Sequence, residues 1–261
     1  MPATESAVAW DESLLANPHA VADKRSRVQT MFTAIAPSYD RNNRLLSVWM
    51  DEMWRRRAVK LERVKPTDVI LDVACGTGDV SLKFFRALHD QNPRPAGRVI
   101  GLDFTYAMLP LAREKAKHRG ADITWINGDA QALPLPDASV DVLSISFGIR
   151  NVVDTAAALG DFRRVLRPGG RLVILEFWWP PNPILRLMFN FYFRHLLPFT
   201  ATLLSGDKTR AYYYLPISVS TYLTPDRMTE MIRAAGFANV IQRPLTFGIV
   251  YCYSADVTEG V

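Results

Sequence analysis

Apolar residues along the middle of the chain follow two alternating patterns. Short apolar runs bounded by turn residues are typical of buried strands, whereas apolar positions at i, i+3 and i+4 indicate amphipathic helices. The predicted strands cover residues 69–74, 98–103, 122–127, 140–147 and 170–177. The predicted helices between them cover residues 79–89, 105–118 and 154–166. Because strands and helices alternate, we expect an α/β fold whose sheet is mostly parallel, with helices on both faces.

The start of the chain has a different pattern. Residues 1–23 contain several acidic residues but no Arg or Lys, unlike a secretory signal or a basic presequence, and we predict a flexible tail. Residues 24–66 are predicted to form a helical N-terminal cap, since apolar positions recur at helical spacing up to Pro37 and again before Pro66. Tyr39 follows the first of these helices, from where it could reach over a bound ligand.

The remainder of the chain, residues 67–256, is predicted to be one domain. Residues 177–223 are inserted after the fifth strand and are rich in aromatic side chains, so we expect a lid over an apolar substrate or a segment that lies on a membrane surface. Basic residues and Pro198 interrupt this stretch too often for it to cross a bilayer. The strands predicted at Val240–Gln242 and Phe247–Tyr253 would complete a seven-stranded sheet with an antiparallel edge.

Composition and charge narrow the partners and the compartment. The 261 residues are 49% hydrophobic, which is enough for a sizeable core. The net charge of +5 comes from basic residues without long runs, so we expect a solvated basic surface and no nucleic-acid partner. Peripheral contact with the inner face of an anionic membrane is the second expectation. Two cysteines are too few for a disulfide framework and favour a cytoplasmic location, while a homo-oligomer stays open.

The turn Gly76-Thr77-Gly78 after the first predicted strand is a candidate ligand site. A phosphate-binding loop would require a Lys and a Ser or Thr after the second glycine, and the dinucleotide fingerprint would require a third glycine. The residue that follows is Asp79, whose negative charge would oppose a pyrophosphate. S-adenosylmethionine has a sulfonium, an ammonium and only one carboxylate, so we predict that this turn and Asp72 on the preceding strand bind that cofactor.

Acidic residues recur at the carboxyl ends of the next two strands. Asp103 ends the second strand, where its carboxylate could accept both ribose hydroxyls of an adenosyl group. Asp129 follows the third strand, where it could accept from the adenine amino group, with Met108 and Ala130 as apolar contacts. A single acid at such a position is more often a helix cap, but the recurrence favours one shared site. The Cys and His spacings do not resemble a metal site, so no metal is expected.

Several stretches together resemble the ubiquinone/menaquinone biosynthesis C-methyltransferase family of class I S-adenosylmethionine-dependent enzymes. The matching segments include residues 31–40, 71–79, 128–137, 146–152 and 166–177, and the resemblance extends over roughly residues 25–255. The specific segment is Ser146-Phe-Gly-Ile-Arg150-Asn151, whereas the glycine turn is shared by many methyltransferases.

The resemblance implies a Rossmann-like fold and methylation of a ring carbon of a prenylated hydroquinone in menaquinone or ubiquinone biosynthesis. It places the cofactor contacts on Thr77, Asp103, Asp129, Ala130 and Ser146. Arg150 is the candidate catalytic residue, either stabilising a developing phenolate or polarising a water that takes the proton, and Tyr39 is the candidate for orienting the acceptor. Alternatively, Arg150 could serve only in a salt bridge to Asp154.

Three other functions are consistent with parts of the sequence. Trp178-Trp179-Pro180 departs from the family pattern, in which a small or basic pair usually precedes the proline. This departure suggests, as the alternative, an O- or N-methyltransferase acting on another hydrophobic aromatic metabolite. A binding protein without turnover is disfavoured because the segment from Ser146 to Asn151 is retained. RNA methylation has only the diffuse positive charge in its favour.

Overall fold

The computed structural model describes residues 10–47, 49–192 and 210–259, and within these ranges one seven-stranded sheet forms the centre of the molecule. The strands are β1 Val69–Val73, β2 Arg98–Asp103, β3 Thr124–Asn127, β4 Val140–Ser146, β5 Leu166–Phe177, β6 Ala238–Leu245 and β7 Val250–Asp256. Their order across the sheet is β3-β2-β1-β4-β5-β7-β6. The pairs from β3 to β5 are parallel, whereas β7 runs antiparallel to both β5 and β6. The predicted mostly parallel α/β sheet is confirmed, with the reversed strand one position in from the edge.

The helices begin and end at local sequence signals. They are α1 Glu12–Leu15, α2 Lys24–Ile35, α3 Tyr39–Leu46, α4 Met50–Leu61, α5 Asp79–Gln91, α6 Met108–His118, α7 Thr155–Val165, α8 Pro183–Phe191, α9 Ala211–Ser220 and α10 Pro225–Ala234. The Asp154 carboxylate caps α7 by accepting from two backbone N–H groups, and the Thr224 hydroxyl caps α10 by accepting from the Arg227 N–H. A 3₁₀ turn that contains Pro37 follows α2, as the proline predicts.

The sheet separates two apolar layers because successive residues of each strand point to opposite faces. Leu71 of β1 packs in a cluster with Leu159 of α7, and its neighbour Ile70 packs in a second cluster with Trp54 and Phe84. The strands β1 and β4 are buried almost throughout. Helices therefore cover both faces, and only the strand ends and the connecting turns remain to form a site.

The structure differs from the sequence prediction in the segment that precedes the helical cap. Trp10 is fully buried and stacks on Tyr214 of α9 with a centroid distance of 4.6 Å, and Leu15 is buried beside it. Residues 10–23 thus differ from the predicted flexible tail, because two apolar side chains anchor them to α2 and α9. The predicted aromatic insertion, residues 177–223, contains α8 and α9, and its residues 193–209 lie outside the described ranges.

The fifth strand also differs from its prediction. The predicted fifth strand begins at residue 170, whereas β5 already begins at Leu166, which pairs with Val140. The register between β4 and β5 then shifts, and Gly169 has a φ of +73°. The glycines therefore form an irregularity within a longer strand, which leaves the register of the carboxyl half and the position of Glu176 intact.

Candidate active site

The glycine turn connects β1 to α5 through backbone conformations that favour glycine. Gly76 and Gly78 have φ values of +54° and +84°. A Cβ on Gly78 would lie 2.5 Å from Cη2 of Trp125, so this position is also restricted by packing. Gly78 is the N-cap of α5 and is not among the residues that line the cavities described below. Its place is under the turn, whereas Gly76 faces the cavity.

The Asp103 carboxylate is fixed at the tip of β2 by two backbone donors. Oδ2 accepts from the Gly76 N–H and Oδ1 from the Thr105 N–H, each at 2.7 Å. Burial raises the pKa of Asp103 to about 6, although the two backbone hydrogen bonds oppose that shift. Because each carboxylate oxygen has a further lone pair, Asp103 can still accept hydroxyl groups from a ligand in the adjoining cavity.

The first cavity lies over the carboxyl ends of β1 to β4 and collects most of the predicted cofactor residues. Among its lining residues are Tyr39, Gly76, Asp103, Met108, Asp129, Ala130 and Ser146. Arg25 of α2 lies 3.1 Å from the Asp129 carboxylate and stacks over the Phe104 ring at 4.7 Å. The far end of this cavity therefore combines acceptors with flat apolar surfaces, the composition that an adenine ring requires.

Asp72 and Asp79 have surroundings that the sequence did not reveal. Both Asp72 oxygens accept hydroxyl hydrogen bonds, from Ser81 at 2.6 Å and from Ser144 at 2.5 Å, and burial raises its pKa to about 6. Asp72 and Thr77 line a small cavity beneath the glycine turn together with Asp79. The hydrogen bonds of Asp72 link β1, α5 and β4, so its carboxylate supports the turn from below.

The Asp79 carboxylate is surrounded by positive charge. It lies 2.8 Å from Lys115 Nζ, 2.8 Å from Arg55 Nη1 and 3.6 Å from Arg44 Nη2. Burial alone would raise the pKa of Asp79, but these cations hold it below its ordinary value. Asp79 therefore does not oppose a pyrophosphate as the sequence predicts, because neighbouring cations offset its negative charge. Lys115 and Thr77 also contact the Asp40 carboxylate, which ties α3 to the glycine turn.

A second, mostly apolar cavity of about 310 Å³ adjoins the first. Phe32, Tyr39 and Phe147 line both cavities, so these side chains lie between a ligand in one and a ligand in the other. The walls of the second cavity come from α2 to α4, from the ends of β4 and β5, and from α8 and α9. Burial raises the pKa of Tyr39, so its hydroxyl stays protonated and can donate a hydrogen bond.

Arg150 lines the second cavity and is almost completely buried. Its Nη1 donates to Glu176 Oε1 at 2.5 Å and to the Phe147 carbonyl at 2.9 Å, and its Nε donates to Ser218 Oγ at 3.4 Å. Nη2 makes no hydrogen bond with any described residue. The carboxylate partner of Arg150 is therefore Glu176 rather than Asp154, which caps α7 instead.

The structure brings most of the predicted site residues to one cavity and places further residues beside them. Arg25, Arg55 and Glu176 were not identified from the sequence, although all three contact predicted site residues. Glu176 is the last residue but one of β5 and Asp103 is the last residue of β2, so the same reasoning from strand ends could have identified Glu176. No sequence pattern distinguishes Arg55, because it is one of three consecutive arginines on α4. The fold buries Arg55 and leaves the other two exposed.

Comparisons with known proteins identify the family of the chain. Residues 20–256 match the model of the ubiE/COQ5 methyltransferase family. A demethylmenaquinone methyltransferase of Thermus thermophilus is 45% identical over 226 residues, which cover 87% of this chain and 99% of that protein. The ubiquinone/menaquinone biosynthesis C-methyltransferase UbiE of Geobacter sulfurreducens is 40% identical over 238 residues, which cover 90% of each chain.

Solved structures with low sequence identity share the fold. A SAM dependent methyltransferase from Aquifex aeolicus has a TM-score of 0.56 at 16% identity, covering 78% of this chain and 89% of that chain. A putative methyltransferase of Haloferax volcanii, solved with its Trm112 activator, has a TM-score of 0.60 at 20% identity. The match covers 87% of this chain and 98% of that chain. The fold is thus the class I Rossmann-like methyltransferase fold. Together with the family match over most of its length, this shows that the chain belongs to the ubiE/COQ5 methyltransferase family.

Proposed function

We propose that this chain transfers the methyl group of S-adenosylmethionine to a ring carbon of a prenylated hydroquinone. The observation that supports this most directly is the pair of adjoining cavities: one has the polar strand tips that an adenosyl group requires, and the other is apolar and contains Arg150. Tyr39 lines both cavities, so a transferred group would pass close to its side chain.

The residues of the first cavity fit S-adenosylmethionine. The buried Asp103 carboxylate keeps free lone pairs beside the cavity, where two ribose hydroxyls can donate to them. Met108 and Ala130 would contact the adenine ring, and Asp129 would accept from its amino group. Gly76, Thr77 and Ser146 would surround the methionyl part, with Asp72 supporting their turn. When bound, the cofactor supplies a methyl group already activated by its sulfonium, so the protein's main task is alignment.

Arg150 can assist the acceptor by stabilising negative charge on a ring oxygen. A hydroquinone ring becomes a stronger carbon nucleophile as an adjacent hydroxyl loses its proton. Because Nη2 is available while Glu176 and Phe147 fix the rest of the guanidinium, this donor is preorganised for a developing phenolate. Arginine stays protonated and is not itself the base, so water would take the hydroxyl proton. After methyl transfer the ring carbon would lose its own proton and the hydroxyl would be restored, with one proton released overall. The Tyr39 hydroxyl would donate to the same ring or to its other oxygen.

The test is incubation of purified protein with methyl-labelled S-adenosylmethionine and short-chain demethylated benzoquinols and naphthoquinols. We expect the label on a ring carbon, which carbon NMR of the product distinguishes from a methyl group on oxygen or nitrogen. A heteroatom-bound methyl would support the alternative O- or N-methyltransferase, and no transfer to any quinol would contradict the proposal.

We further propose that α8 contacts the membrane surface from which a prenylated acceptor must be taken. Ile184, Leu187 and Met188 are 70%, 71% and 64% exposed, and their spacing places them on one face of the helix. Phe189 of the same helix lines the second cavity, so this surface is next to the acceptor site. None of the helices in the described ranges has the length and apolarity that a bilayer-spanning segment requires. An amphipathic helix lying in the interface fits these observations.

The membrane contact can be tested by sedimentation with vesicles of mixed phosphatidylglycerol and phosphatidylcholine. Leu187→Glu should reduce the bound fraction, because it places a charge on the apolar face of α8. Ile241→Glu on β6 is the control, since Ile241 is also exposed, at 46%, but lies on the edge strand of the sheet. Equal loss for both variants, or no binding by the wild type, would contradict the proposal.

A further inference from the structure

Asp51 of α4 contributes a carboxylate to the wall of the second cavity. Its residue exposure is only 4%, and Oδ1 accepts a hydrogen bond from Ser47 Oγ at 2.7 Å. Oδ2 lies 2.9 Å from Arg55 Nη1 but accepts no hydrogen bond, whereas Arg55 Nη1 donates to Asp79 instead. Oδ2 therefore has a cationic neighbour but no hydrogen-bond donor, so the Asp51 carboxylate can accept a hydrogen bond from a donor that arrives with the ligand.

Asp51 and Arg150 have opposite hydrogen-bonding capacities in the same cavity. An ionised carboxylate can only accept, and a guanidinium can only donate. Arg55 lines the cavity as well, but its Nη1 donates to Asp79, and the rest of the wall is largely apolar and includes Trp54, Phe147 and Phe177. A flat ring between these aromatic side chains would therefore present one oxygen to an acceptor and another to a donor.

These two side chains distinguish the redox states of a quinone ring. A hydroquinone has hydroxyl groups that donate or accept, so one can donate to Asp51 while the other accepts from Arg150. An oxidised quinone has only carbonyl acceptors, and one of them would face the Asp51 carboxylate without a proton between the two oxygens. Building on the proposed function, we propose that Asp51 accepts a hydrogen bond from the acceptor hydroxyl and so selects the reduced ring over the oxidised one.

The experiment measures binding of a short-chain demethylated naphthoquinol and of the matching quinone, without oxygen and with S-adenosylhomocysteine present to prevent turnover. We expect the wild type to prefer the quinol. Asp51→Asn should reduce that preference by at least about tenfold, because an amide N–H can donate to a quinone carbonyl. Asp68→Asn is the matched control: Asp68 is equally buried and paired with Arg171, but it precedes β1 at the opposite end of the sheet. The Asp68→Asn variant should prefer the quinol over the quinone as strongly as the wild type does.

A ligand-side measurement keeps the test valid if Asp51→Asn does not fold. The two mono-O-methyl ethers of the quinol each lack one hydroxyl hydrogen, and the wild type should bind one ether at least about tenfold more weakly than the other. Equal affinity for both ethers, or an unchanged redox preference in a folded Asp51→Asn variant, would overturn the role of Asp51 alone. A wild type that neither binds nor methylates any quinol would overturn the proposed function and this role together.

Discussion

The buried Arg150 guanidinium has hydrogen-bond partners in the protein and still has a donor for a ligand. Its ion pair with Glu176 and its bond to the Phe147 carbonyl offset the desolvation of the guanidinium, and they also hold its orientation. The cation lies 5.6 Å from the centre of the Phe177 ring, which forms part of the cavity wall. Since a planar guanidinium has five N–H donors, it can keep these contacts and still offer Nη2 to a ligand.

Arg150→Lys should lower turnover by roughly a hundredfold while leaving affinity for S-adenosylhomocysteine unchanged. The ammonium can still pair with Glu176, so the buried carboxylate is not left alone, but no second donor reaches the cavity. Steady-state kinetics and calorimetry measure the two quantities. Arg227→Lys, in the exposed pair with Glu230, is the control and should change neither. A variant with normal turnover would remove Arg150 from the mechanism.

The Asp103 carboxylate predicts a pH dependence of cofactor binding. Burial raises its pKa to about 6, so the group becomes protonated as the pH falls through that value and loses acceptor capacity for the ribose hydroxyls. Affinity for S-adenosylhomocysteine should be constant above pH 7 and should weaken several-fold by pH 5. Calorimetry over this range would measure it, and Asp103→Asn should bind weakly at every pH. If that variant kept the wild-type profile, Asp72, with a similar pKa, would be the titrating group.

At the level of elements, the first residue of α2 holds the loop that contains Arg150. Lys24 is 2% exposed, and its Nζ donates to the carbonyls of Arg150 at 3.0 Å and Val152 at 2.6 Å. Burial lowers the pKa of Lys24 to about 8, and its other neighbour is His19, whose Nε2 contacts the Ser218 carbonyl of α9. The N-terminal segment, the loop after β4 and α9 are thereby connected through one ammonium group.

Lys24→Met should reduce turnover more than it reduces cofactor affinity. The substitution removes the donor and leaves the carbonyls of Arg150 and Val152 without it, at a cost of about 1–3 kcal/mol each. The loop can then relax, and Arg150 can move out of position. The readouts are the turnover number, the affinity for S-adenosylhomocysteine and the urea midpoint. Lys60→Met on the exposed face of α4 is the control. Equal losses of turnover and cofactor affinity would indicate a general loss of structure instead.

At the scale of the whole molecule, the acceptor cavity forms where parts distant in the sequence meet. Its wall combines α2 to α4 with the strand ends and with α8 and α9. At the other end of the sheet, Glu62 is 2% exposed and its Oε2 has no hydrogen bond with the described residues. Burial raises the pKa of Glu62 to about 8, against the opposing effect of Arg171. One buried acid therefore couples global stability to pH, far from the site.

Wild-type stability should fall as the pH rises from 5.5 to 8.5, by up to roughly 3 kcal/mol from Glu62 alone. Its folded pKa lies above the unfolded value of 4.5, so this contribution is complete below pH 4.5 and is lost as the pH rises through 8. Glu62→Gln cannot lose a proton and should flatten the curve. Urea unfolding at several pH values measures this, and parallel curves for both proteins would contradict the assignment.

The sequence by itself determined the alternation of elements and the position of the site, because strand and helix periodicity and turn chemistry are local properties. From them the strand tips at Asp103 and Asp129 could be placed on one edge of a sheet. Only the tertiary structure decided which groups pair there: that Glu176 rather than Asp154 holds Arg150, and that cations offset the charge of Asp79. Burial and pairing depend on contacts between residues far apart in the chain, and a local pattern contains no information about them.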